Sequence, residues 1–196
     1  MLIEDTPDAS ILPKPPLISW RDASHTRRYT QNDSVAQLPI LPNWPNVRAG
    51  LGMSTIWYAK HAGEVFSVED YRPWYDKVSK IIDSKLLGNV TYRFAENESE
   101  YAAFMSDDAS GFDLVVIDGS CRSKCMSHAV HLVKPGGILY LDNSDNDSSP
   151  NGGDMRAAEA TGRDFARDSG ALVTEITDFA PTLFFVTQGL SIKLPG

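Results

Sequence analysis

Three apolar runs in this chain each end on an acid. Glu64-Val65-Phe66-Ser67-Val68 stops at Glu69-Asp70, Leu114-Val115-Val116-Ile117 at Asp118-Gly119, and Ile138-Leu139-Tyr140-Leu141 at Asp142-Asn143. Short apolar runs rich in β-branched residues suit strands buried on both faces. Ligands of an open parallel sheet bind outside the carboxyl ends of its strands, so the three acids fall where a site is expected. Upstream, Gly50-x-Gly52 followed by Ser54 and Thr55 reads as a glycine turn opening a helix. Glycines let a ligand approach the backbone and helix-start amides donate hydrogen bonds to it, which would suit a phosphate- or cofactor-facing loop, although Gly50-x-Gly52 alone also reads as a plain turn. Glu69 lies seventeen residues beyond Gly52, at the end of the second strand, where a carboxylate can accept hydrogen bonds from ribose hydroxyls.

These residues need a scaffold, and the pattern around them supplies one. A strand around Asn46–Ala49 precedes the glycine turn. A helical stripe with Trp74, Val78, Ile81 and Ile82 runs from Tyr71 to Leu87, with Pro73 tolerated at its start. Asn89–Phe94 reads as a third strand. Some 15 residues of helix-compatible sequence separate the two central runs, closed by Lys134-Pro135-Gly136-Gly137, where proline stops a helix and glycine caps one. A polar loop over 144–153 suits a mobile lid, a helix follows from about Asp154 to Ser169, and Ala171–Phe179 and Thr182–Thr187 form an antiparallel hairpin. The expected architecture is α/β, a Rossmann-like three-layer sandwich around a seven-stranded, mostly parallel sheet with an antiparallel C-terminal hairpin.

Residues 1–45 hold seven of the twelve prolines and no sustained period, so they read as an irregular arm preceding a domain over 46–196. Trp20, Trp44, Ile40 and Leu41 call for burial, by folding over the sheet edge or in a homodimer contact. Trp20, Arg27, Arg28 and Tyr29 are candidates to touch an acidic or aromatic substrate or to decorate the arm's surface. At 196 residues with 42% hydrophobic content the chain can bury one sizeable core. A net charge of −8 argues against nucleic acid, whose phosphates need a basic face, and leaves small molecules and proteins as partners. No apolar run reaches membrane-spanning length, the first residues are acidic where a secretory signal would be basic, and two cysteines are too few for a disulfide framework. The expectation is a cytoplasmic protein with no membrane partner. Cys121, Cys125, His128 and His131 could be drawn as a zinc cluster, but the same helix face should pack on the sheet, and small buried cysteines are common there.

Five pieces in order resemble the class I S-adenosylmethionine-dependent methyltransferases over roughly residues 43–190. They are Gly50-x-Gly52-x-Ser54-Thr55, Val68-Glu69, Phe112–Gly119, Leu132–Gly137 and the terminal hairpin. The resemblance implies S-adenosylmethionine as cofactor, bound by Gly50, Gly52, Ser54, Thr55, Glu69 and Asp118. Within the family the acid placement is similar to the cation-dependent, catechol-type O-methyltransferases, which implies metal ligands at Asp118, Asp142 and Asn143 and a small hydroxylated substrate. Hard oxygen donors suit Mg²⁺, and coordination lowers the pKa of a bound hydroxyl. The chain also departs from the pattern. Arg48 stands where the family carries an acid, Pro45 interrupts the first strand, and Cys121 occupies the place of the catechol-type lysine base. Asp118, Arg122 and Lys124 are the catalytic candidates that remain. Two functions follow: a small-molecule O-methyltransferase with or without Mg²⁺, and a non-catalytic methyltransferase-fold binding protein or partner subunit with a degenerate first motif. Asp118→Ala is expected to abolish methyl transfer by disrupting the ligand edge; full turnover by the variant would remove both the site and the metal assignment.

Overall fold

The structure, a computed structural model, describes residues 44–49, 54–145, 152–179 and 186–196. The arm over 1–43, the Gly50-x-Gly52 turn, most of the polar loop after Asp145 and the Ala180-Pro181 connection lie outside the described residues. The strands are β1 (Trp44–Ala49), β2 (Ala62–Glu69), β3 (Val90–Phe94), β4 (Phe112–Ile117), β5 (Val133–Leu141), β6 (Leu172–Phe179) and β7 (Val186–Lys193). Between them run α1 (Ser54–Ala59), α2 (Arg72–Ser84), α3 (Glu98–Ala102), α4 (Arg122–Ala129) and α5 (Gly152–Ser169).

Hydrogen bonding links the strands into one sheet in the order β3-β2-β1-β4-β5-β7-β6. β1 to β5 run parallel, and β7 is antiparallel to both β5 and β6. The order reverses at β1, which has β2 on one side and β4 on the other; this switch point opens a crevice at the strands' carboxyl ends.

The central strands are apolar on both faces because both faces are covered. Val115 and Ile117 of β4, with Leu139 and Leu141 of β5, pack with Met126, Ala129, Ala158 and Ala166 from α4 and α5. The alternate residues Leu114, Val116, Ile138 and Tyr140 pack with Tyr58 and Ala59 of α1. The strand period of two thus sorts a continuous apolar run into two cores. Each fully buried aliphatic side chain in it contributes about 1.5–3 kcal/mol.

Four details differ from the sequence reading. β1 begins at Trp44, inside the stretch assigned to the arm. Its pairing with β2 passes from Trp44 to Asn46 across Pro45, and pairing with β4 starts only at Val47, so the proline sits where β1 has no β4 partner and its missing N–H is tolerated. α4 is eight residues long, about half the expected length. The Phe112 amide donates to the Leu132 carbonyl at 2.7 Å and draws Val133 into pairing with Phe112. Lys134-Pro135-Gly136-Gly137 is therefore an irregular strand start, with Gly136 at φ +75 and a register shift between Phe112 and Leu114. α5 begins at Gly152, two residues ahead of Asp154.

The last strand spans Val186–Lys193, running six residues beyond the expected Thr187, while residues 182–185 of the expected strand lie outside the described residues. Gly189 looks like a breaker in sequence, yet it lies mid-strand because the Tyr140 ring occupies the space over it. A Cβ added there would meet the Tyr140 hydroxyl at 2.0 Å and its Cζ at 2.5 Å. Gly189→Ala is expected to lower unfolding free energy by about 3 kcal/mol through overpacking, measurable by urea denaturation. A loss under about 0.5 kcal/mol, the level of an innocuous surface change, would show that the ring moves aside freely.

Candidate functional site

β2 delivers Glu69 to the carboxyl edge, where it is 7% exposed. Its Oε1 accepts from the Tyr71 amide at 3.0 Å, and its own carbonyl accepts from the Ala95 amide at 2.9 Å, tying it to the end of β3. On the other side of the switch point, Ser54 and Thr55 open α1 and are buried. The Thr55 hydroxyl hydrogen-bonds Ser67 Oγ of β2 at 2.8 Å, so part of its bonding capacity anchors α1 to the sheet.

The second half of the edge is a charged cluster between β4 and β5. After Ile117 the chain makes a tight turn in which Cys121 adopts a left-handed conformation, φ 40 and ψ 50, and α4 starts at Arg122. The guanidinium folds back over that turn. Nε donates to the Gly119 carbonyl at 3.0 Å, Nη1 to the Asp142 carbonyl and Nη2 to Asp118 Oδ1 at 3.3 Å. Arg122 is 6% exposed. Its backbone is held as well: Asp154 of α5 accepts from the Arg122 amide at 2.6 Å with Oδ2, and with Oδ1 from the Ser123 amide at 3.1 Å and the Ser123 hydroxyl. Asp154 thereby caps α4 from another helix.

Asp142 and Asn143 follow β5, both buried, and Asn143 takes φ 50. Asp142 Oδ1 accepts from the Tyr140 hydroxyl at 3.3 Å, while Oδ2 has no donor among the described residues. Burial, and then the neighbouring Asp118 charge, push the Asp142 carboxyl well above the usual carboxylate range, with Arg122 opposing. A proton on Asp142 removes one of two neighbouring like charges from a dry site.

The edge therefore collects Glu69, Asp118, Asp142, Asn143 and Arg122, together with Ser54 and Thr55 at the start of α1. Lys124 stands apart. Its side chain is exposed and its Nζ pairs with Glu98 Oε2 at 2.5 Å; the hydrogen bond to Glu98 raises its pKa, which keeps it an ammonium with no lone pair to accept a proton. Arg122 is an anchor, its N–H groups turned to the two strand ends, and an arginine cannot serve as a base near neutral pH. The cysteines lie close, Cys121 Sγ at 4.0 Å from Cys125 Sγ, but among the described residues no group of three His, Cys, Asp or Glu side chains could hold a metal.

The Mg²⁺ that the sequence pattern implied also fails to fit. A guanidinium already binds the carboxylate of Asp118 and the carbonyl of Asp142, so the position between them carries a positive charge, and one oxygen of the Asp142 carboxyl is turned to a tyrosine hydroxyl. Sequence reasoning missed Asp154 and Tyr140. Asp154 looks like an ordinary acid in a first helical turn, and Tyr140 like one more core aromatic; only the packing of α5 and β7 gives them these partners.

No family model matches the chain, and no curated protein matches it in sequence. Solved structures do match. The O-methyltransferase TomG from Streptomyces achromogenes, involved in tomaymycin synthesis and solved with S-adenosylmethionine, has a TM-score of 0.65 at 16% identity, covering 95% of this chain and 93% of that one. An O-methyltransferase from Bacillus cereus in complex with S-adenosylhomocysteine has a TM-score of 0.63 at 17% identity, covering 90% and 82%. A precorrin-6y C5,15-methyltransferase from Geobacter metallireducens has a TM-score of 0.57 at 14% identity, covering 83% and 86%. At these identities the shared property is the fold alone, one that this chain has in common with these methyltransferase structures.

The carboxyl pair predicts a pH signature. With its folded pKa above the unfolded value of about 3.9, Asp142 contributes stability that is full below that pH and is lost as pH rises toward the folded pKa. An asparagine mimics the neutral, protonated acid. Asp142→Asn is expected to raise unfolding free energy at pH 8 by about 1 kcal/mol and to flatten its decline from pH 5 to 8, read by urea unfolding. A steeper decline would mean that ionised Asp142 is the stabilising form.

Proposed function

We propose that a chain with this fold and this edge is an S-adenosylmethionine-dependent methyltransferase that O-methylates a small hydroxylated molecule. The observation that carries the reading is Glu69: a buried carboxylate ends β2 on one side of the switch point while the Asp118–Arg122–Asp142 cluster ends β4 and β5 on the other. The first is suited to ribose hydroxyls, the second to the reacting half of the ligand.

When bound, S-adenosylmethionine supplies an electrophilic methyl group on a sulfonium that leaves as a neutral thioether. The chain's own residues do the rest. Glu69, held by the Tyr71 amide, accepts hydrogen bonds from the ribose and orients the cofactor. Asp118 keeps about a fifth of its side chain exposed, 20% by area, and is the group at this edge positioned to take the proton of the acceptor hydroxyl. A carboxylate is a weak base, so an acidic hydroxyl such as a phenol, with a pKa of about 10, suits it better than an aliphatic alcohol. Alignment of acceptor and methyl supplies much of the remaining acceleration in a displacement of this kind.

Calorimetric titration with S-adenosylmethionine and S-adenosylhomocysteine tests the reading. Wild-type protein is expected to bind both, and Glu69→Ala to bind at least tenfold more weakly, a difference of about 1.4 kcal/mol. Absence of binding of either ligand by a folded sample would instead favour a non-catalytic binding protein, the reading that Arg48 and Pro45 support.

A further inference from the structure

We infer that Arg122 is a resident cation that takes the place of a divalent metal at the β4–β5 edge, so that this chain works there without one. The inference deepens the methyltransferase reading and rests on it for the word catalysis, but its central measurement is metal binding, which is independent of the cofactor.

Three observations carry it. The guanidinium reaches both strand ends at once: Asp118 Oδ1 and the Gly119 carbonyl just past β4, and the Asp142 carbonyl just past β5. A cation bridging Asp118 and Asp142 would have to sit between the same two ends. Second, the side chain has little freedom to leave. It is 6% exposed, its amide is held by Asp154 Oδ2 at 2.6 Å, and the residue before it is fixed in a left-handed turn. Swinging the guanidinium out would break contacts on the backbone and side chain together. Third, one oxygen of each carboxyl in the expected donor set is already engaged. Asp118 accepts from Arg122 and Asp142 Oδ1 from the Tyr140 hydroxyl. Mg²⁺ demands near-octahedral oxygen ligands and retains waters, and here it would have to compete with a planar donor that matches a carboxylate without any of that hydration.

Arg122 is a positioning residue in this account. It faces the strand ends, is nearly closed to solvent, and sets the direction in which the Asp118 carboxylate points. Its charge also balances the acids, a role that a purely structural apolar side chain could not fill. The arrangement turns a pattern that resembles a metal site into one whose cation is a side chain.

Titration of the full chain with Mn²⁺, followed by electron paramagnetic resonance and calorimetry, decides the matter. Wild-type protein is expected to bind no Mn²⁺ at this edge up to about 1 mM. Arg122→Gln, which removes the charge, is expected to gain a site that binds Mn²⁺ at least about tenfold more tightly than wild type, and Asp118→Asn in that background to lose it. Arg122→Lys, which keeps the charge, is expected to remain metal-free. One Mn²⁺ bound by the wild type and lost in Asp118→Asn would overturn the inference. So would a folded Arg122→Gln with no gained site, since the guanidinium would then not be what excludes the metal. If Arg122→Gln does not fold, the wild type and Arg122→Lys still decide: Mn²⁺ bound at the edge of either overturns the inference, and its absence from both upholds it. Failure of S-adenosylmethionine to bind would sink the methyltransferase reading and leave the Mn²⁺ result standing.

Discussion

Two parallel strands that end side by side on acids bring like charges together in a poorly hydrated place, and the contact that makes this tolerable is the guanidinium of Arg122. Its planar fork spans the ends of β4 and β5, meeting a carbonyl and a carboxylate on one side and a carbonyl on the other. A lysine could offer a point charge but not three directed donors in one plane. Breaking such a buried arrangement by removing one partner leaves an uncompensated charge, which is far more costly than the pair is worth as a net stabiliser.

The rest of the edge depends on that anchor through the backbone. Arg122 is the first residue of α4 because Cys121 turns the chain left-handed, and α4 is capped by Asp154 from α5. The start of α5 is therefore tied to the same cluster as the ends of β4 and β5. Further along the loop after β5, Ser144 donates through its amide to the Gln188 carbonyl at 2.8 Å and accepts from Arg156 Nη1 at 3.1 Å through its own carbonyl. The path from Asp142 into the polar loop is thus held by β7 and α5 before the chain reaches residue 146.

Tyr140 joins the core to the site. Its ring fills the space that Gly189 leaves on β7, and its hydroxyl donates to Asp142. The antiparallel terminal strand is thereby coupled to the ligand edge, although its residues contribute no acid of their own. Fold and site share one side chain here, so packing against β7 sets the direction of a hydrogen bond at the end of β5.

Local pattern was enough to read the strand–helix alternation, the two-faced burial of β4 and β5, and the placement of Glu69, Asp118, Asp142 and Asn143 at strand ends. These features follow from short-range physics: a period of two, apolar runs that stop abruptly, and acids that cannot be buried inside a strand. The length of α4, the span of β7 and the roles of Arg122, Lys124, Asp154 and Tyr140 were not readable in the same way. Each depends on a partner distant in sequence. Val133 joins the sheet because the Phe112 amide bonds the Leu132 carbonyl before it, Gly189 tolerates a strand because Tyr140 covers it, and Lys124 is turned outward to Glu98. Whether an arginine four residues after an aspartate is a base, a substrate contact or an internal counter-charge is decided by which carbonyls lie within reach of its guanidinium, and those belong to strands that only the tertiary structure brings together.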